Sequence, residues 1–218
     1  NILERFTYHT VFSGFGEIIR KLAIVSMIVL FIGSITLCCA SEQVTVAGST
    51  TVLPLAEAGA EAFNSEQSDY HVMVTGGGTG VGIKNIAEGT SDIGMASREV
   101  TDDEVARFGN EFKENLIGYD GIVIAVSKEI YDAGVTSLSK DQVKKIYSGE
   151  ITNWEELGGQ DVQILAVARE QGSGTRDTFN EDIMDDKKAE PPGVSSVAGS
   201  NAEIKTALTG GETAIGYL

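Results

Sequence analysis

Three times in its first half this chain repeats one arrangement. A short β-branched run ends in a turn of glycine, serine or threonine, and the turn opens a helix-like stretch. Val44–Ala47 leads into Gly48-Ser49-Thr50-Thr51-Val52-Leu53-Pro54 and a helix through Leu55, Ala58, Ala62 and Phe63. Pro54 is tolerated in a first turn, and a preceding Ser or Thr is placed to cap it. His71–Thr75 leads into Gly76-Gly77-Gly78-Thr79-Gly80 and a helix carrying Val81, Ile83, Ile86 and Ala87. Asp92–Ala96 ends at Ser97-Arg98, and Thr101-Asp102-Asp103-Glu104 reads as a capping box for a further helix. Strands alternating with helices require crossover connections, and those build a parallel sheet. The expected fold class is therefore α/β, and ligands of such sheets bind beyond the carboxyl ends of the strands.

Those strand ends carry hydroxyls: Thr50 and Thr51, with Ser49 beside them, then Thr79, then Ser97. Each alone is readable as a helix cap. Three in series are harder to explain by capping.

The character shifts around Tyr119-Asp120-Gly121. Ile122–Val126 is an apolar strand, and Ser139-Lys140-Asp141-Gln142 is a second capping box, with a helix through Val143, Ile146 and Tyr147. Ser148–Trp154 is a long turn, and Trp154 reads as a packing anchor. Val162–Ala168 is a strand that delivers Arg169-Glu170-Gln171-Gly172-Ser173-Gly174-Thr175-Arg176-Asp177. Glycines let backbone N–H groups approach a ligand, hydroxyls add rotatable donors, and the opening of a helix favours negative charge. With an arginine, this is either an oxyanion seat or a turn with an N-cap. Asp185–Pro192 is a charged loop, Ser200-Asn201 caps a helix through Ile204, Ala207 and Leu208, and Ala214–Tyr217 is strand-like.

Residues 1–39 differ from the rest. Arg20 and Lys21 precede an apolar run from Leu22 to Ile35, and Cys38-Cys39-Ala40 follows. A positive flank, an apolar core and small residues form an export signal. Adjacent cysteines rarely make a useful structural disulfide. Lipidation at Cys38 or Cys39, plain cleavage and a retained membrane anchor all remain open readings.

The formal net charge is −16. Such an excess disfavours nucleic acid and anionic membrane surfaces as partners. It also opposes long-range steering of an anion, so local donors must hold one. Of the two histidines, His9 lies before the export segment's apolar core and His71 inside a strand. No Cys–His pair or metal-ligand spacing is present, and nothing supplies a base for Ser173. No catalytic residue, metal or cofactor is expected.

The chain resembles the phosphate-binding, extracytoplasmic substrate-binding proteins of ABC importers, a branch of the type II periplasmic-binding-protein fold. The resemblance rests on Ala47–Pro54, Gly76–Ile83, Asp92–Arg98, Ile146–Trp154, Arg169–Arg176 and Ala214–Tyr217, which occur in family order. It implies two α/β lobes joined by a hinge, residues 40–118 and 119–210, closing on a dehydrated phosphate. It implies a monomeric exported receptor that hands inorganic phosphate to a membrane permease and its ATPase. By position, Thr50, Thr51, Thr79 and Ser97 would donate from the first lobe, and Arg169, Ser173, Gly174 and Thr175 from the second. Ser49, Arg98 and Asn201 are secondary candidates. Sulfate, molybdate or tungstate are alternative ligands, and a sensory surface module is an alternative role.

Two departures from the family carry expectations of their own. Some members have an aspartate near Ser97 that accepts the proton of phosphate; here Arg98 stands there, either adding charge to the site or pairing with Glu99 or another acid. Arg176 is expected to pair with Asp177. The family chain also runs on beyond the Gly-Tyr strand, so residues 211–218 are expected to begin a return to the first lobe in a truncated C-terminal part.

Overall fold

The structure is a computed structural model that describes residues 41–109, 113–211 and 213–218. The segment read as an export signal and Cys38-Cys39 lie outside the described residues. From Glu42 onward the chain forms one compact unit containing two sheets.

The first sheet is the repeated arrangement read from sequence. Strand β1 (Glu42–Gly48) is followed by helix α1 (Leu53–Glu66), β2 (Tyr70–Gly76) by α2 (Thr79–Ala87), and β3 (Ile93–Met95) by α3 (Asp102–Phe108). The order is β2-β1-β3, all parallel, with Val46 opposite both Val74 and Ile93. This register brings Gly48, Gly76 and Met95 level, so the turns that follow them gather at one edge. The capping box at α3 is complete: Thr101 accepts from the Glu104 N–H, and the Glu104 carboxylate accepts from the Thr101 N–H. Helices α1 and α2 depart from expectation, since neither has a side-chain cap. Helix α2 is instead preceded by Gly78 at φ +88°, a backbone suited to glycine.

Helix α2 approaches β1 and β3 most closely at Gly82. A Cβ on Gly82 would stand 2.7 Å from the Met95 carbonyl oxygen and 2.8 Å from that of Ala47. The contact is backbone on backbone, and only glycine allows it.

The second sheet has the order β4-β7-β5-β6, built from β4 (Ile124–Val126), β5 (Leu165–Arg169), β6 (Ser196–Ala198) and β7 (Ala214–Tyr217). Strand β5 pairs in parallel with β6 and β7, while β4 runs antiparallel to β7. The strand Ala214–Tyr217 is an interior strand of the second sheet. Strand β6 and the short helix α4 (Lys128–Asp132) were not apparent from sequence.

Helix α5 (Lys140–Tyr147) turns Val143, Ile146 and Tyr147, at i, i+3 and i+4, onto this sheet. Its Ser139–Gln142 capping box is formed as read. A 3₁₀ turn (Trp154–Leu157) buries Trp154 completely, and the indole N–H donates to the Thr213 carbonyl at 2.9 Å. Phe179 stacks on Tyr217 at 3.9 Å between ring centroids, and Tyr147 meets Phe179 edge-on at 4.7 Å. Helix α6 (Gly174–Phe179) continues into a π-helical turn (Asn180–Met184), and α7 (Asn201–Gly210) packs Ile204 over β5 and β7.

Candidate oxyanion site between the two sheets

The turns after β1, β2 and β3 meet the turns after β5 and β6. Their polar groups join across the sheets. Arg169, the last residue of β5, is almost wholly buried at 1% exposure. Its Nη2 donates to Thr50 Oγ1 at 3.0 Å, and its Nη1 donates to Asn201 Oδ1 at the start of α7. Asn201 in turn donates from its backbone N–H to Thr50 Oγ1 at 3.4 Å and from Nδ2 to Thr51 Oγ1 at 3.1 Å. The Thr51 and Thr175 hydroxyls lie 3.0 Å apart. Ser49 is buried behind them and accepts from the Thr51 N–H at 3.2 Å.

Thr79 and Ser97 form the neighbouring part. Thr79 is fully buried, its hydroxyl oxygen 3.1 Å from Ser97 Oγ, and it accepts from the Ser97 N–H at 3.1 Å. Neither hydroxyl caps a helix. Gly174 faces both: a Cβ there would stand 2.5 Å from Ser97 Oγ and 2.9 Å from Thr79 Oγ1. A backbone bond from the Gly80 N–H to the Gly172 carbonyl, 3.0 Å, ties the two turns together. Thr50, Thr51, Thr79, Ser97, Arg169, Gly174, Thr175 and Asn201 therefore come together from both sheets. Ser173 is different, because its hydroxyl accepts from the Arg176 N–H as the N-cap of α6. Cap and seat share the Arg169–Asp177 stretch between them.

Arg98 takes one of its expected roles, pairing with other acids and not with the Glu99 carboxylate. It forks onto Glu104 at 2.8 and 3.0 Å and reaches Asp177 of α6 through Nε at 2.7 Å; Glu99 only accepts through its backbone carbonyl. Arg176 does not pair with Asp177, contrary to expectation. It meets Glu190 at 2.9 Å and donates to the Arg169 carbonyl at 3.2 Å. For Arg176 this follows from helical geometry, since neighbouring residues on α6 point apart while a group brought in from another segment can converge.

Sequence reading missed Glu170 and Tyr217. Glu170 places both carboxylate oxygens on the Arg169 fork, at 2.9 Å from Nε and from Nη2. The chain leaves β5 at Arg169 and turns through Gly172 at φ +87°, which lets adjacent side chains converge. Tyr217 Oη accepts the Arg169 N–H at 3.0 Å, so the arginine's backbone is held at both its N–H and its carbonyl. Burial pushes the Tyr217 phenol up, although the Arg169 N–H opposes this. For Glu104, burial acts to raise the carboxyl, but Arg98 and the Thr101 donors outweigh it and hold the group below its ordinary 4.5.

The site is rich in neutral donors and poor in free charge. Arg98 is matched by Glu104 and Asp177, Arg169 by Glu170, and Arg176 by Glu190. A cavity of about 930 Å³ beside β4 and α4 contains none of these groups. Its walls mix apolar residues such as Val126, Tyr131, Val135 and Leu138 with polar ones such as Lys128, Thr136 and Ser137. Among the described residues, no group of three or more His, Cys, Asp or Glu side chains is disposed to hold a metal ion.

Two α/β sheets with a donor-lined seam between their strand ends have the architecture of a ligand-binding protein. Residues 38–218 match the PBP superfamily domain, and the chain belongs to that superfamily. It is 37% identical over 179 residues to the phosphate-binding protein PstS of Bacillus subtilis, covering 82% of this chain and 57% of the relative. It resembles PstS of Staphylococcus haemolyticus at 34%, over 51% of that protein. The chain thus spans little more than half the length of these curated relatives. Among solved structures, a phosphate ABC transporter substrate-binding protein of Clostridium perfringens with bound phosphate is 41% identical, with a TM-score of 0.71. The match covers 81% of this chain and 70% of that one. An ABC-type phosphate transport receptor from Vibrio cholerae is 32% identical with a TM-score of 0.56, covering 80% and 70%.

Proposed function

We propose that this chain is the ligand-binding part of an extracytoplasmic receptor that takes up inorganic phosphate and delivers it to an ABC transporter. The observation that carries the reading is Arg169, buried at the end of β5 and reaching Thr50 on the first sheet. The relatives' names supply the ligand. The seam supplies the chemistry. A tetrahedral oxyanion loses costly hydration on burial, which is tolerable only when nearly all its acceptor sites are satisfied again. Hydroxyls of Thr50, Thr51, Thr79, Ser97 and Thr175, the backbone around Gly174, and the Arg169 guanidinium would do this. Ser173 would then act through its backbone, Asn201 would orient Arg169, and Arg98 would brace the seam from outside it.

On this reading the two sheets are the lobes of a type II binding protein, and closing them around the anion is the binding step. The role is capture and transfer, with no bond made or broken. Other tetrahedral oxyanions are the competing ligands. No helix among the described residues is long and apolar enough to cross a membrane.

Calorimetric titration with phosphate tests the proposal. Binding by the wild-type chain is expected, and Arg169→Ala should weaken it by more than about a hundredfold, the scale of losing a buried charge-assisted fork. Undiminished affinity in the variant would remove Arg169 from the site.

A further inference from the structure

A second link joins the two sheets beside the seam, and it uses charge where the seam uses mostly neutral donors. Arg98 leaves the turn after β3 on the first sheet and reaches Asp177 of α6, on the side of the second, Nε to Oδ2 at 2.7 Å. The arginine stem also lies against α6. A Cβ on Gly174, three residues before Asp177 and on the same helix face, would stand 3.2 Å from Arg98 Cγ. The Arg98 side chain is 9% exposed and that of Asp177 21%, so the pair is largely withdrawn from water and from screening by salt.

The guanidinium is fixed on its own side before it reaches across. Its Nη1 donates to the Glu99 carbonyl at 2.9 Å and to Glu104 Oε2 at 2.8 Å, and its Nη2 donates to Glu104 Oε1 at 3.0 Å. Glu104 is held in turn by the N–H and the hydroxyl of Thr101, both at 2.9 Å. With the bond to Asp177, four of the five guanidinium N–H groups have protein acceptors. None of these acceptors is a hydroxyl of the seam, so Arg98 is committed to protein contacts and not to an anion. Burial acts against the Arg98 cation, but Glu104 and Asp177 outweigh it and hold the group above its ordinary value.

The other charged groups around the pair are matched elsewhere. Arg169 meets Glu170, and Arg176 meets Glu190. Lys188 meets Asp103 of α3 at 3.0 Å and also crosses between the sheets, but those side chains are 84% and 82% exposed. An ion pair so placed contributes little. The Arg98–Asp177 bond is therefore the charged link that bears on how firmly the two sheets hold together.

We propose that the Arg98–Asp177 bond is a latch between the two sheets that slows both the entry and the release of phosphate. The gating of phosphate rests on the receptor reading; the latch itself rests on the contacts above. Parting the sheets has to break the bond to Asp177, whereas the fork onto Glu104 stays intact on the first-sheet side. Because the bond uses no ligand atom, it holds the sheets together with phosphate bound and without it. The seam's donors then decide which anion is held, and the latch decides how long.

The test compares the full wild-type chain with Asp177→Asn, which keeps the side chain's shape, removes its charge and leaves Arg98 on Glu104. Release of radiolabelled phosphate into an excess of unlabelled phosphate should be about tenfold faster in the variant, the scale of one hydrogen bond between charged groups. Association, followed by rapid filtration, should quicken as well, so that affinity falls by less than release accelerates. X-ray scattering without added phosphate should give a larger radius of gyration for Asp177→Asn than for the wild type. Lys188→Ala, which removes the exposed pair, should keep both rates within about twofold of the wild type. Circular dichroism and thermal melting establish that each variant is folded. Release at the wild-type rate in Asp177→Asn overturns the proposal, whatever the affinity. So does faster release with unchanged association and unchanged scattering, because the bond would then act over bound phosphate only. A wild type that binds no phosphate, together with the expected expansion of Asp177→Asn, would sink the receptor reading and leave the latch; no binding and no expansion would sink both.

Discussion

The two sheets contribute to one seam but are held together by different means. The second has a side-chain core. Trp154, Tyr147, Phe179, Tyr217 and Ile215 are all essentially buried, and both apolar clusters of the described residues lie around this sheet. The first relies on close backbone approach and hydrogen bonds. Helix α1 buries none of its residues, and Leu55, Phe63, Met73 and Ile93 of this region are exposed. Rigidity in the seam comes from the second sheet. Arg169 is anchored through Tyr217 and Arg176 into packed structure, so its guanidinium is presented at a fixed place. The hydroxyls of Thr50, Thr79 and Ser97 sit on turns whose positions depend on glycine contacts such as that of Gly82 with Met95 and Ala47.

That contrast can be broken from either side. Trp154→Ala should have the largest effect, removing about 3–5 kcal/mol of stability in urea unfolding, because a fully buried aromatic leaves a cavity in the side-chain core. Gly82→Ala should cost less, about 1–3 kcal/mol, since the new methyl meets two carbonyl oxygens and must push α2 off the sheet. It should also disturb phosphate affinity through Thr79, which Trp154→Ala should do only as far as it unfolds the protein. Affinity loss in the opposite pattern would mean that the second sheet, and not the first, is the adjustable partner.

The smallest effect concerns acid. The Glu104 carboxyl is held below its ordinary 4.5 despite the opposing effect of burial. A depressed folded value means that its stabilising contribution is complete above the unfolded value and is lost as pH falls through the folded one. Wild-type stability should therefore decline as the medium is acidified below about pH 4.5, and part of that decline should be missing in Glu104→Gln. Urea midpoints measured at a series of acidic pH values check this. Parallel curves for the two proteins would show that the Arg98 fork does not contribute.

Much of this was legible in the residues. The α/β class followed from three strand–turn–helix repeats, and the capping boxes at Thr101 and Ser139 formed as written. Hydroxyls at successive strand ends pointed to the seam because parallel strands place their carboxyl ends together. Other features lacked a local signal. Strand β6 has three residues and is a strand only because β5 lies beside it. Helix α4, with five residues, is too short to display a period. Strand β7 reads as a strand from its apolar residues, but its interior place between β4 and β5 is a matter of long-range pairing. The partner of Arg176 was misjudged for the same reason. Glu190 is brought to it by tertiary structure, whereas sequence proximity suggested Asp177.

The central claim is that one anion is held jointly by both sheets. Phosphate titration of Thr50→Val, set beside that of Arg169→Ala, tests it most directly. The Thr50 hydroxyl bonds to Arg169 and Asn201 of the second-sheet region, so its removal leaves the first sheet's own hydrogen bonds in place. The expected result is a loss of about tenfold to a hundredfold in phosphate affinity for Thr50→Val, the scale of one hydrogen bond to a charged group, with a larger loss for Arg169→Ala. Wild-type affinity in Thr50→Val alongside lost binding in Arg169→Ala would contradict the joint site and assign the anion to the second sheet alone.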